Sequence, residues 1–286
     1  MERILVIGGT GRLGQPVVKT LAKAGYEVRL MTRRGQVPSA LQGLSVVPFQ
    51  GDLRHPEHIA QALSAVQAVY IHLPEAPSAQ AEFIPEVHGI QNLLSVLPKD
   101  VLILKMSEID AAENPHLHNL SFKYRSEERI KQSGNPFIIF RPTWFMESLP
   151  LILQQGKRVF YIGRQSHPMY WIAGEDYARQ VLSALRQSNT LKQHTFNVQG
   201  REAFTFTQAV QHYVQASAQG FSTGYLPLWT LRLGGWFSAE QQAHYELLRH
   251  YNQRYERFIS AETWRLLGEP QLTLEQFART WHAPIV

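Results

Sequence analysis

No cysteine occurs among the 286 residues. That excludes disulfide bridges, thiolate nucleophiles and zinc–sulfur sites together, and it fits a reducing compartment. No apolar run approaches the roughly 20 residues that a membrane span needs. The opening MERILVIGG enters a strand directly and leaves no room for a signal peptide, so a cytoplasmic location without membrane attachment is the expectation. Gly-x-Ser-x-Gly is missing, which removes the support for a serine hydrolase of that type. Twelve histidines are present, but neither His55/His58 nor His116/His118 has helical metal-ligand spacing beside a carboxylate, and no metal is expected. Repeats, low-complexity segments and long linkers are absent. Charged residues make up 18% and hydrophobic ones 44%, the balance of an ordinary globular chain. The net charge of +5 is scattered, and its densest pair is Arg33-Arg34. This suits a solvated surface or an anionic small ligand better than nucleic acid.

What is present is an alternation of short apolar runs with helix-length segments. Strands are expected at Arg3–Ile7, Glu27–Thr32, Leu44–Phe49, Ala68–His72, Val101–Met106 and Pro136–Arg141. Helices are expected at Gly14–Ala24, Glu57–Ala65, Phe83–Leu97 and Phe122–Ser133. Such alternation implies an α/β fold with a doubly wound parallel sheet, strand order 3-2-1-4-5-6, and right-handed crossovers. Beyond Arg141 aromatics thicken, in Trp144-Phe145, Phe160-Tyr161 and Tyr170-Trp171. A helix near Glu175–Gln187 and a strand near Thr195–Val198 precede a largely helical remainder. Residues 1–150 read as a dinucleotide-binding domain and 151–286 as a smaller lobe. The boundary is soft, because the strand near 195–198 returns to the sheet.

The run ILVIGGTGRLGQPVV places Gly8, Gly11 and Gly14 three apart after the first strand. Counted from Gly9 it also satisfies Gly-x-Gly-x-x-Gly. Glycines permit a sharp strand-to-helix turn and close approach of an anion, and the helix start contributes free amides and about half a unit of positive charge. With a strand before it and a helix opening at Gln15-Pro16 after it, the loop Gly8, Thr10, Gly11, Arg12, Leu13 and Gly14 reads as a pyrophosphate cradle. NAD sites usually carry a carboxylate at the end of the second strand. Here Arg33 and Arg34 stand there instead, with Arg12 in the loop. Guanidinium groups fork onto a 2′-phosphate, so NADP(H) is expected over NAD(H); alternatively both arginines point into water. Asp52 and Leu53, after the third strand, suit the adenine edge, although Asp52 also suits a turn that caps the next helix. Leu73 and Pro74 end the fourth strand and Ser107 the fifth, where ligands of open α/β sheets lie. Ser107 equally suits a cap.

These residues resemble the NmrA-like group of atypical short-chain dehydrogenases. The likeness rests on GGTGRLG at 8–14, GDL at 51–53, ERIKQSGNPFIIFRPTWFMES at 128–148, AGEDYARQVLSAL at 173–185 and FNVQGREAFTFTQA at 196–209. The resemblance implies either a reductase, of the kinds that act on quinones, dyes or phenylpropanoid ethers, or an NADP-binding redox sensor without catalysis. The usual Tyr-x-x-x-Lys is missing, since Asn119 stands four before Lys123. In similar ether-type reductases a lone lysine lies ten residues before the Glu-Gly or Ser-Gly pair that ends its helix, and Lys123 lies ten before Ser133-Gly134.

Hydride transfer to a carbonyl or quinone builds negative charge on oxygen, which an ammonium stabilises; an ammonium whose pKa is depressed by an apolar site also donates the proton. Lys123 is the candidate for that role and for holding the nicotinamide ribose. The alternative is a solvated lysine among Arg125, Glu127, Glu128, Arg129 and Lys131. Tyr124 is the reserve donor. Pro142 and Thr143, after the sixth strand, are expected near the nicotinamide, with Trp144, Phe145 and Met146 as an apolar wall for a planar acceptor or as core. Two functions follow: an NADPH-dependent reductase of a small quinone, carbonyl or activated double bond, or a non-catalytic NADP(H)-responsive regulator that docks a protein partner.

Overall fold

Along the first strand, β1 (Arg3–Ile7), successive side chains enter two different cores. Ile4 and Val6 join one cluster, Leu5 and Ile7 the other, as a two-residue period requires. A strand buried on both faces reads as unbroken apolar sequence and belongs in the middle of a parallel sheet. The computed structural model, which describes residues 2–76, 80–151, 153–235 and 239–281, places it there.

After β1 come α1 (Gly14–Lys23), β2 (Glu27–Thr32), β3 (Val46–Gln50), α2 (Pro56–Ala62) and β4 (Ala68–Ile71). A π-helical turn, Pro85–Gly89, runs into α3 (Ile90–Val96), followed by β5 (Leu102–Met106), α4 (His118–Gln132), β6 (Phe137–Pro142) and α5 (Ser148–Leu151). The chain continues through β7 (Gln154–Gln155), β8 (Arg158–Ile162), β9 (Met169–Trp171), α6 (Gly174–Arg186), α7 (Ser188–Leu191), β10 (His194–Val198) and β11 (Glu202–Phe204). It closes with α8 (Phe206–Ala216), β12 (Ser222–Leu226), α9 (Leu228–Gly235), α10 (Ala239–Gln253), α11 (Ala261–Leu267) and α12 (Leu274–Thr280).

Seven strands form one sheet in the order β3-β2-β1-β4-β5-β6-β10, every pair parallel. This is the expected order, with β10 as the returning strand. One face packs on α1 and α6, whose Val17, Val18, Leu21, Tyr177, Val181 and Leu185 share a core with Tyr70, Leu104 and Phe140. The other packs on α2, α3 and α4 through Ile59, Leu93 and Ile130 against Val69, Ile103 and Ile139.

Three differences from the sequence reading have physical causes. The expected helix Phe83–Leu97 opens instead with the wide turn at Pro85, whose ring has no amide to bond, and that turn buries Glu86. The helix expected at Phe122–Ser133 starts at His118. The C-terminal part is mostly helical, as expected, but also carries short strands that the sequence reading does not name: β8 pairs with β12 and β7, and β9 with β11. The aromatic pairs Phe160-Tyr161 and Tyr170-Trp171 lie on β8 and β9, where flat rings suit a pleated surface. This part has its own core of Met146, Leu149, Trp171, Phe206, Tyr213, Tyr251 and Phe277. Among the described residues no helix is long and apolar enough to cross a membrane.

Candidate cofactor and active site

The glycine loop is built for close approach. Gly8 has φ +85°, and a Cβ there would lie 1.7 Å from the His72 carbonyl oxygen. A Cβ on Gly14 would meet the Gly8 carbonyl at 2.3 Å. Only glycine fits either position. The turn is tied by Gly11 N–H to Gly8 O at 3.2 Å and Gln15 N–H to Gly11 O at 2.9 Å. Leu13 occupies the cap position of α1 without a side-chain cap, so the helix starts with its dipole unneutralised by protein. Thr10 and Arg12 are exposed beside it, and Arg12 donates to the Leu151 carbonyl at 3.0 Å. The cradle therefore fits a pyrophosphate.

Beyond the carboxyl ends of β2 and β3 lies an open pocket of about 420 Å³, lined by Arg33, Gln50, Gly51, Asp52, His55, His58 and Gln61. Arg33, expected at the 2′-phosphate, and Asp52, expected at the adenine edge, line the same cavity. Arg34 is exposed next to it. Asp52 Oδ1 also accepts from the Arg54 amide at 3.0 Å, so the carboxylate shapes its turn as well. Leu53 is held from behind, its carbonyl accepting from Asn92 Nδ2 at 2.8 Å. His58 also lines this pocket, and its Nδ1 is buried without a hydrogen-bond partner among the described residues.

The middle of the sheet, around β5, holds buried charge. Lys105 belongs to the sheet face that β5 turns toward α3 and α4, since it alternates with Leu104 and Met106 of the opposite core. Its ammonium lies 3.0 Å from Glu86 Oε1, and Lys123 on α4 lies 3.5 Å from the same oxygen. Their exposures are 0% for Lys105, 3% for Glu86 and 8% for Lys123. Burial by itself would push the Glu86 carboxyl up, but the two ammonium groups outweigh it and hold it below the usual range. Burial likewise opposes the charge on Lys123, yet Glu86, Glu108 and Glu75 together raise its pKa. The shift is thus opposite to the depression that proton donation by Lys123 requires, and it favours the charged form. Beside it, His72 is pulled down to about 3 by burial and by Lys123 and Lys105, and so it is neutral at any physiological pH.

Several expected ligand contacts are occupied by protein. Ser107 Oγ donates to Glu127 Oε1 at 2.5 Å, and Arg141 grips Glu127 with Nη2 at 2.6 Å from Oε2. Thr143 Oγ1 donates to Glu256 Oε2 at 2.9 Å, and Pro142 and Leu73 are buried, whereas Pro74 is exposed. Trp144 sits edge-on to Phe206, Tyr251 and Trp171, with centroids 4.7, 5.2 and 5.9 Å away. Phe145 and Met146 are buried in two different cores. Phe145 and Met146 thus face opposite ways into core, while Trp144 stays partly exposed. Tyr124 is half-buried. No group of residues able to hold a metal ion occurs among the described residues.

Glu86, Lys105, Glu108 and Tyr251 are missing from the sequence reading, and Glu127 stands there only as a charged neighbour of Lys123. Lys105 carried a signal: a charge inside VLILKM, a run otherwise apolar, must be paired when the strand is buried on both faces. Glu127 carried none, since it stands in a helix of alternating charges that reads as solvated.

A model of the NmrA-like family matches residues 1–233. The photosystem II assembly factor Ycf39 of Trieres chinensis is 25% identical over 248 residues, covering 80% of this chain and 74% of that protein. An NAD(P)H azoreductase of Xenophilus azovorans is 25% identical over 187 residues, covering 64% and 63%. Among solved structures, the NADPH-dependent quinone oxidoreductase of Escherichia coli, complexed with NADPH, aligns with TM-score 0.69 and 19% identity over 96% of this chain and 98% of that one. NmrA, a negative transcriptional regulator in complex with NADP, aligns with TM-score 0.72 and 17% identity over 98% and 94%.

Proposed function

Because this chain belongs to the NmrA-like family, we propose that it binds NADP(H) and works as a reductase of a small quinone, carbonyl or activated double bond. The bound nicotinamide supplies the hydride. The glycine loop and the α1 N-terminus hold the pyrophosphate, Arg33 with Arg34 grips the 2′-phosphate, and Asp52 takes the adenine edge. NAD(H) is the weaker candidate, since neither Arg33 nor Arg34 has a carboxylate's affinity for ribose hydroxyls. A cytoplasmic location and a small-molecule acceptor belong to the same reading.

The observation that carries the enzyme reading is the buried ammonium of Lys123, fixed by Glu86 at the carboxyl end of the sheet. A cation held there in low dielectric stabilises negative charge growing on an acceptor oxygen. An accompanying azoreductase among the relatives supports reduction chemistry. A second reading, a regulator that reports the NADP(H) state to a protein partner, is favoured by the missing Tyr-x-x-x-Lys and by the likeness to an assembly factor.

Oxidation of NADPH, followed by absorbance against a panel of quinones, aldehydes and azo dyes, separates the two. Turnover with at least one acceptor is expected, and Lys123→Ala should lower it about 100-fold while NADPH affinity changes little. No turnover with any acceptor, together with unequal affinity for NADP and NADPH, would support the regulator instead.

A further inference from the structure

Adding a hydride to a carbonyl or quinone carbon leaves an oxygen that must take up a proton. Lys123 is held as ammonium by the Glu86 carboxylate 3.5 Å away, His72 is neutral, and the hydroxyls of Ser107 and Thr143 are given to Glu127 and Glu256. We propose that Glu108 donates this proton and that Tyr251, brought by α10 from the C-terminal part of the chain, is the positioning residue that holds it. The proposal rests on the reductase reading.

Glu108 lies two residues past β5, at the carboxyl end where β4, β5 and β6 face the candidate nicotinamide region. Its backbone is fixed on both sides, by Ser107 N–H to Phe140 O at 2.7 Å and Ile109 N–H to Pro142 O at 3.1 Å. The Tyr251 hydroxyl donates to Glu108 Oε1. Tyr251 is itself fully buried, its ring against Trp144, so it sets the rotamer of Glu108 without meeting a ligand. Glu108 keeps an exposed edge. Four charged or titratable groups face it: Lys123 from α4, Glu75 from the β4 exit, Asp110 from its own loop and Tyr251 from α10. Asp110 is tied to Arg254 and to His250. Burial pushes the Glu108 carboxyl up; Lys123 and the Tyr251 hydrogen bond oppose this, Glu75 and Asp110 add to it, and the net direction is upward. Burial carries Tyr251 well above its ordinary value, so Tyr251 keeps its own proton.

The step balances. As the acceptor carbon gains a hydride, its C=O π pair moves to oxygen, and the carboxyl proton of Glu108 passes to that oxygen. The ammonium of Lys123 faces the charge left on Glu108, which regains a proton from water at its exposed edge. Overall, NADPH, one proton and the acceptor give NADP and the reduced acceptor.

Glu108→Gln retains the oxygen that accepts from Tyr251 and so preserves the contact. It should lower kcat about 100-fold, leave the NADPH Kd unchanged and abolish the alkaline fall of the pH–rate profile. Tyr251→Phe should lower kcat less and move the midpoint of that fall upward, because a hydrogen bond favouring the ionised carboxylate is gone. A readout without turnover is the stability of Glu108→Gln relative to wild type across pH. A carboxyl raised in the folded state loses stability as pH rises from its unfolded value through its folded one, so the variant should gain on wild type over that window. An active wild type with an equally active Glu108→Gln of unchanged profile overturns the proposal and spares the reductase reading. A stability difference flat in pH also overturns it alone. A wild type that binds NADPH but reduces no acceptor overturns both.

Discussion

Two regions along the sheet's carboxyl edge handle charge in opposite ways. At the β2–β3 end, Arg33 and Arg34 are exposed to solvent beside an open pocket. Around β4 and β5, in the middle, Lys105 and Lys123 are buried and both paired with Glu86. An exposed cation can be reserved for a ligand at little cost. A buried one needs a protein partner first, because removing an ion from water costs several kcal/mol even after relaxation. In the function proposed above, specificity and chemistry are separated: the open region discriminates nucleotides and the buried one keeps a fixed charge.

The largest effect expected from breaking this contrast is at Glu86. Glu86→Gln leaves two buried ammonium groups facing one another and should cost about 3–5 kcal/mol in urea unfolding. Adding Lys105→Met to the same chain should recover most of that loss. A single variant as stable as wild type would mean that the cluster is not charged.

Glu147 sharpens the point, as a buried carboxyl with no cation. Its Oε1 accepts from the Gly174 amide at 2.8 Å, its Oε2 has no partner, and burial raises its pKa to about 7. The carboxylate with two ammonium neighbours goes down, and the one without goes up. A raised carboxyl binds its proton more tightly in the folded state, so this contribution to stability is lost as pH rises from the ordinary 4.5 to about 7. The loss reaches on the order of 3 kcal/mol. Denaturant unfolding across pH 4.5–8 should show Glu147→Gln escaping this decline; identical slopes in both proteins would place the titration elsewhere.

The smallest effect concerns the open end. Arg33→Ala with Arg34→Ala should weaken NADPH binding about 10–100-fold, the worth of a charge-assisted bond or two, and leave NADH nearly unchanged. Parallel losses for both nucleotides would remove the 2′-phosphate role.

The fold and the open end were legible in sequence for one reason: both depend on local pattern. Apolar runs alternating with helices set the strand order, and Gly8 and Gly14 are required by contacts within their own turn and with the adjacent strand end. Arg33 and Asp52 follow neighbouring strands and so meet in one pocket. The buried cluster was not legible, because Glu86, Lys105 and Lys123 come from a turn, a strand and a helix separated in sequence. Glu127 reads as one more charge on a solvated face, and only the β6 register brings Arg141 beneath it. Tyr251 lies 143 residues from Glu108, and no local spacing joins them.

Titration calorimetry of the wild-type protein with NADPH and NADH tests the nucleotide site most directly. Binding of both is expected, with NADPH tighter by about tenfold or more. Heat from neither nucleotide, with no rise in melting temperature, would contradict the account at its base.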